Sequence, residues 1–286
     1  MTHFPPDTLV STDWLFEHLS APDVRVVDGS WYLPRENREA EAEYRAAHIP
    51  GAVFFDIDDV ADTENPYPHM LPSAEKFSSR MRKLGLGAGH HIVVYDGAGL
   101  FSAARVWWMF KVMGHRQVAV LDGGLPKWRS ENRPLEDLVP MQRERHFMAR
   151  VDTTRLRGLD EVKANIDSAR EILIDARSKK RFAGAEAEPR AGVRAGHIPG
   201  SLNLPYTDLL NADGTMRQAG ELELLFRSKG VSANKPVVTS CGSGITAAIL
   251  ALGLEVIGHR KVAVYDGSWA EWGARTDMPL ATGPSA

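Results

Sequence analysis

Gly114-His115-Arg116-Gln117-Val118-Ala119-Val120-Leu121-Asp122-Gly123 returns 144 residues later as Gly258-His259-Arg260-Lys261-Val262-Ala263-Val264-Tyr265-Asp266-Gly267. The same offset sets Trp128 on Trp272 and Val93-Val94 on Val237-Val238, and His48-Ile49-Pro50-Gly51 recurs as His197-Ile198-Pro199-Gly200 at an offset of 149. A period this long lies far above the ~20–50 residues of stacked solenoid repeats, so the chain reads as two copies of one globular domain. The expected bounds are 1–135 for the first copy, a polar linker over 136–150 containing Gln142-Arg143-Glu144-Arg145, and 151–286 for the second.

Within each copy, short β-rich runs alternate with helical patterns. They are Val24 to Val27, Ile92 to Tyr95 and Val118 to Leu121 in the first, and Ile172 to Ile174, Val237 to Thr239 and Val262 to Tyr265 in the second. Apolar runs without two-residue alternation suit strands buried on both faces, and their alternation with helices points to a parallel sheet wrapped by helices. The expected fold class is therefore α/β, with two tandem domains that each have a mostly parallel sheet and helices on both faces.

The 286 residues are 43% hydrophobic and 25% charged, the composition of an ordinary globular chain large enough for two cores. A net charge of −3, with no basic run interleaved with aromatics, argues against a nucleic-acid partner and in favour of small molecules. The longest apolar stretches, Val106 to Met113 and Ala247 to Ile257, are too short to span a bilayer. The single cysteine cannot form an internal disulfide, and Met1-Thr2-His3-Phe4-Pro5-Pro6 lacks the regions of a secretory leader, so a cytoplasmic, reducing setting is expected. The ten histidines are scattered without metal-ligand spacing, and Gly85-Leu86-Gly87-Ala88-Gly89 precedes a strand rather than opening a helix. No metal or cofactor is expected.

That cysteine, Cys241, follows Val237-Val238-Thr239-Ser240 and opens Gly242-Ser243-Gly244-Ile245-Thr246-Ala247, where an apolar strand gives way to a loop of small residues and then a helix. Such a turn aims backbone N–H groups and the positive helix end at its mouth, and a partly exposed thiol there should ionise readily. The competing reading is a buried cysteine acting as a small hydrophobe. The ungapped repeat places Gly97 opposite Cys241, which confines the nucleophile to the second copy and leaves the first as scaffold.

With Cys241 to Ala247 in view, the chain resembles the rhodanese superfamily, and within it the tandem-domain sulfurtransferases of mercaptopyruvate type. Thiosulfate-type members carry basic residues directly after the cysteine, which this loop lacks. The resemblance implies that Arg181, in Arg181-Phe182-Ala183-Gly184, and Arg190, in Glu188-Pro189-Arg190, clamp the substrate carboxylate and carbonyl. It implies further that Asp58 and His69, from Phe54-Phe55-Asp56-Ile57-Asp58 and Tyr67-Pro68-His69-Met70, act with Ser243 in proton transfer. The backbone of Gly242, Gly244, Ile245, Thr246 and Ala247 would hold the transferred sulfur. A thiol, cyanide or a thioredoxin-like protein would be the acceptor.

Each assignment has a simpler rival. Salt bridges within the Glu- and Ala-rich segment would explain both arginines, a solvated loop would explain His69, and helix capping would explain Asp58. His48 and His197, present in both copies, are expected to fix turns, and Asp28 and Asp175 to be structural at equivalent strand ends. A cysteine phosphatase would need an arginine six residues after the nucleophile, where this chain has Ala247. Thiosulfate sulfur transfer and a non-catalytic persulfide carrier are the remaining alternatives.

Overall fold

The computed structural model describes residues 8–232 and 235–284; the N-terminal residues read above for a leader lie outside them. It divides into two compact units. One gathers the chain up to Asp62, Pro72–Asp152 and Asn211–Met216, and the other Thr63–Leu71, Thr153–Leu210 and the chain from Arg217 on.

The first unit holds a five-stranded sheet of β1 (Leu9–Val10), β2 (Val24–Asp28), β3 (Val53–Phe54), β4 (His91–Tyr95) and β5 (Val118–Leu121), in the order β1-β5-β4-β2-β3 with every pairing parallel. The second repeats it with β6 (Leu156–Arg157), β7 (Ile172–Asp175), β8 (Leu202–Asn203), β9 (Val237–Ser240) and β10 (Val262–Tyr265), in the order β6-β10-β9-β7-β8 and again all parallel. The central strands β4 and β9 are buried almost throughout, as their unbroken apolar runs require. The helices that follow them, Ala103–Val112 and Ala247–Val256, are apolar around nearly their whole circumference and correspondingly buried.

The repeated residues turn out to be framework. Trp128 and Trp272 are fully buried and donate their indole N–H to Pro134 O and Pro279 O at 2.8 and 2.7 Å, so two large apolar rings enter the core without an orphaned polar group. His48 and His197 exchange paired backbone bonds with Glu136 and Ala281, and their Nδ1–H groups donate to Tyr44 O and Phe182 O. They fix turns, as expected. In the stretch 136–150, Phe147 is buried beside Phe77 and Phe110, and His146 O accepts from Ala88 N–H.

Hydrogen bonds that tie the strands together reveal a one-residue offset that the ungapped repeat conceals. Ile92 N–H donates to Gln117 O as Val237 N–H does to Lys261 O, and Gly29 N–H donates to Tyr95 O as Ala176 N–H does to Ser240 O. Leu125 N–H bonds Asp96 O as Trp269 N–H bonds Cys241 O, both at 3.0 Å. The structural counterpart of Cys241 is therefore Asp96 and not Gly97. The loop before the helix is one residue shorter in the second unit, and the match returns to register at Ala103 and Ala247, where both helices begin.

Two twin positions carry measurable energetic consequences. Ser268 stands where the first unit has Gly124, and both have left-handed backbones, with φ of +50° and +52°. Only glycine adopts that conformation at little cost. The fully buried Ser268 hydroxyl donates to Tyr265 O at 2.8 Å and accepts from Cys241 N–H at 3.2 Å. Ser268→Ala keeps the strain and loses both bonds, an expected cost of about 2 kcal/mol. Ser268→Gly loses the same bonds but relieves strain of about 1 kcal/mol. Urea denaturation should rank glycine as the more stable variant, and an alanine variant of equal or greater stability would contradict the strain.

At the end of β2, Asp28 is 2% exposed and accepts from Ser30 N–H at 2.9 Å. Burial, with the neighbouring Asp96 charge adding to it, pushes its carboxyl up to about 6 despite the Ser30 hydrogen bonds. A folded-state value above the unfolded one means that stability falls as the pH rises from about 4 to about 6, with the full penalty present above that range. Asp28→Asn should therefore raise stability at pH 7.5 by up to about 3 kcal/mol, with the gain shrinking towards pH 4. Chemical denaturation at the two pH values checks both the sign and the window.

Candidate active site

Cys241 is the first residue after β9, and six residues separate Ser240 from the helix starting at Ala247. Its backbone is anchored at both ends, with N–H to Ser268 Oγ and C=O from Trp269 N–H, while Gly242 O accepts from Ala270 N–H at 2.8 Å. These bonds fasten the outgoing strand to the helix Ser268–Trp272. Gly244, at φ +80°, then turns the chain into the helix, a conformation that favours glycine. The thiol is not partly exposed as the sequence reading had it. Cys241 is only 1% accessible.

The equivalent loop of the first unit shows what this turn holds. Asp96 Oδ1 accepts from Ala98 N–H at 2.9 Å, and Oδ2 accepts from Phe101 N–H at 2.7 Å and Ala103 N–H at 2.8 Å. Three backbone donors thus converge on one carboxylate at the helix N-terminus. Counting from the strand and from the helix, their counterparts in the second unit are the N–H groups of Ser243, Ile245 and Ala247, and Cys241 replaces the carboxylate. The expectation that Gly97 is the counterpart of Cys241 is thereby corrected to Asp96. The Tyr32 hydroxyl occupies the space beside Gly97, 2.1 Å from where a Cβ would sit.

Ser243 and His69 are brought together. His69 Nδ1 lies 3.0 Å from Ser243 Oγ, with both residues buried and both in the second unit. The sequence reading assigned His69 to the first copy; it belongs instead to the segment Thr63–Leu71, which packs with the second and is pinned by Leu71 N–H on Asp266 Oδ2 at 2.6 Å. Its φ of +63° is unusual for a histidine and aims the ring. Asp58 lies in the first unit, where its Oδ2 accepts from the Trp31 indole N–H at 2.9 Å. It does not cap the helix Ile57–Val60. Asp56 does, accepting from Asp58 N–H and Asp59 N–H.

Arg181, in the helix Lys179–Phe182, rests against the loop, with Nη2 3.0 Å from the Cβ position of Gly242. Its partner is Glu188, reached through Nε at 3.2 Å and Nη2 at 2.5 Å. A salt bridge within the segment does hold this arginine, yet the carboxylate is buried rather than at the surface. Arg190 is half-buried, two residues beyond Glu188.

Sequence reading passed over Ser268, Glu188 and Arg177. Ser268 had a signal, since the repeat sets it on a glycine. Glu188 looked like one more charge in an acidic stretch, and Arg177 stands where the first copy has Ser30. Among the described residues, no cluster of three or more His, Cys, Asp or Glu is disposed to hold a metal, and no helix is long and apolar enough to cross a membrane.

This geometry agrees with comparisons to known proteins. The family model described as "Rhodanese-like domain" matches residues 11–131 and again 158–275. The chain is 45% identical over 270 residues to human 3-mercaptopyruvate sulfurtransferase, covering 92% of this chain and 91% of that one. It is 42% identical over 299 residues to the Arabidopsis thaliana thiosulfate/3-mercaptopyruvate sulfurtransferase 1, covering 96% of this chain and 78% of that one. The crystal structure of a 3-mercaptopyruvate sulfotransferase from Escherichia coli superposes with a TM-score of 0.84 at 39% identity, covering 92% of this chain and 99% of that one. With both halves matched and both sheets built to one plan, the chain belongs to the rhodanese-like family, with two copies of its domain.

Proposed function

We propose that the protein is a sulfurtransferase that takes sulfur from 3-mercaptopyruvate onto Cys241 and passes it from the resulting persulfide to a thiol, cyanide or a thioredoxin-like protein. The observation that carries this reading is the exchange of Asp96 for Cys241 at one structural position. Counted from Cβ, a carboxylate oxygen of Asp96 stands two bonds out, as would the outer sulfur of a Cys241 persulfide. Donors equivalent to those of Phe101 and Ala103, the N–H groups of Ile245 and Ala247, are then disposed to receive that negative sulfur.

In the reaction, the Cys241 thiolate attacks the substrate thiol sulfur, an S–S bond forms, and the C–S bond breaks with its electron pair leaving on the enolate of pyruvate. The enolate carbon must then take up a proton. Ser243, hydrogen-bonded to His69, is the group we assign to deliver it. Arg181 and Arg190 are assigned to the keto acid, since a guanidinium can offer two parallel N–H bonds to paired oxygens. The loop of Gly-Ser-Gly between Cys241 and Ile245 adds no positive charge, which favours a mercapto-keto acid over the thiosulfate dianion. A reducing compartment such as the cytoplasm suits a catalyst that depends on one thiol.

Mass spectrometry after incubation with 3-mercaptopyruvate should find one added sulfur, on the peptide containing Cys241, and none in Cys241→Ser, which should also lose all sulfur transfer. An unmodified Cys241 after turnover would refute the persulfide. Arg181→Ala and Arg190→Ala should each raise KM for 3-mercaptopyruvate about 10–100-fold, the equivalent of one lost charge-assisted contact. Steady-state kinetics with both donors completes the test, and a higher kcat/KM for thiosulfate would overturn the assigned substrate.

A further inference from the structure

We propose that Glu188 is a positioning residue for substrate recognition: anchored by Arg177, it fixes the Arg181 guanidinium so that one donor edge points to the substrate's oxygens. This rests on the reading of Arg181 as a substrate arginine. Between the exposed residues Ala185, Glu186, Ala187 and Pro189, the chain turns one side chain inwards, and the Glu188 side chain is only 3% exposed. A carboxylate so buried requires compensation. Two guanidiniums provide it, with Oε1 accepting from Arg177 Nη1 at 2.8 Å and from Arg181 Nε, and Oε2 accepting from Arg181 Nη2.

Arg177 has no freedom of its own. Its Nε and Nη2 bond Asp175 at 2.7–3.1 Å, Nη2 also donates to Gly196 O, and the guanidinium lies 4.5 Å over the Trp269 ring. Asp175 ends β7, in register with Ser240, the residue before Cys241. A rigid chain of contacts therefore runs from the C-terminal end of β7 through Arg177 and Glu188 to Arg181 and ends on Gly242. The first unit shows the same kind of pair with the Tyr32 hydroxyl, and not a second guanidinium, as the further partner of its carboxylate. There Arg38 lies beside the loop at Gly97 and bonds Glu43, Ser30 stands in place of Arg177, and the pair stays open to solvent at 36% and 39% exposure.

Glu188 takes the Nε–Nη2 edge of Arg181. What it leaves is the Nη1–Nη2 edge, two parallel donors suited to a carboxylate or to adjacent carboxylate and carbonyl oxygens. Asp175, Arg177, Glu188 and Arg181 together carry no net charge. The contribution of Arg181 to recognition is accordingly one of direction more than of field, and the binding of a keto acid depends on where that edge points.

Two variants separate positioning from charge. Glu188→Asp keeps the charge but withdraws the carboxylate by one methylene, and Glu188→Gln keeps the shape but removes the charge. Positioning predicts that both raise KM for 3-mercaptopyruvate, Glu188→Gln by about tenfold or more, while kcat changes much less. If Glu188 only damps the positive field, Glu188→Gln lowers KM and Glu188→Asp leaves it unchanged, and either result overturns the proposal. Alkylation of Cys241 by neutral iodoacetamide should proceed at the wild-type rate in both, which shows the loop intact. Should the glutamine variant fail to fold, the aspartate variant decides alone. Arg181→Ala serves as the control: if it leaves KM unmoved, the assignment of Arg181 fails, whereas a raised KM there with unaltered Glu188 variants refutes only the role of Glu188.

Discussion

In the first unit, backbone N–H groups at the junction of the central strand and the following helix converge on one carboxylate, and the second unit repeats that junction with Cys241 at the same structural position. A helix start leaves its first amides without intrahelical acceptors and adds the positive end of the helix dipole, so the turn demands negative charge. In the first unit the demand is met within the chain, by Asp96. In the second, Cys241 stands at that position, and its sulfur ends one bond nearer to Cβ than the carboxylate oxygens of Asp96 do. One substitution at one structural position thus separates a turn whose donors are met by the chain's own carboxylate from one in which a thiol takes that place.

The surrounding charges follow from that division. Asp28 of the first unit lies near Asp96 with no arginine beside it, and its carboxyl is pushed up to about 6. Its counterpart in the second unit, Asp175, is paired with Arg177, whose own pairing with Glu188 continues outward to Arg181. Where the first unit tolerates two carboxylates in proximity, the second interleaves carboxylates and guanidiniums, so four charges are brought together at little electrostatic cost. Such a network is rigid because breaking any one link strands a buried charge, which costs far more than a surface pair would. The rigidity reaches Arg181, whose Nε and Nη2 are both held by the buried Glu188.

Much of this was legible in the sequence, for identifiable reasons. The central strands β4, β5, β7, β9 and β10 carry short apolar runs, β2 carries one broken only by Arg25, and the duplication matches β4 with β9 and β5 with β10. Cys241 stood out because strand, small-residue loop and helix follow one another without ambiguity. What escaped was whatever depends on a shift of one residue or on long-range packing. An ungapped comparison set Gly97 opposite Cys241, and only hydrogen bonds such as those to Asp96 O and Cys241 O expose the missing loop residue. His69 was placed by its position along the chain, whereas its contacts with Ser243 and those of its neighbour Leu71 with Asp266 assign it to the other unit. The burial of Glu188 could not be seen from a segment that is otherwise solvated, because it is caused by Arg177, eleven residues earlier.

Ser268 and Glu188, which the sequence did not disclose, and His69, which it set in the other unit, share a physical character: each breaks a local rule. Ser268 adopts a glycine conformation, Glu188 is a buried carboxylate in an exposed stretch, and His69 has a left-handed backbone. Local preferences disfavour all three, so each persists only because a specific partner compensates for it. Ser268 has Cys241 N–H and Tyr265 O, Glu188 has two guanidiniums, and His69 has the Ser243 hydroxyl. The corresponding places in the first unit that can be paired by hydrogen bonding, Gly124 and Asp96, obey the rules with a glycine at positive φ and a carboxylate at a helix start. Each of the three departures thus has its compensating partner within the second unit itself.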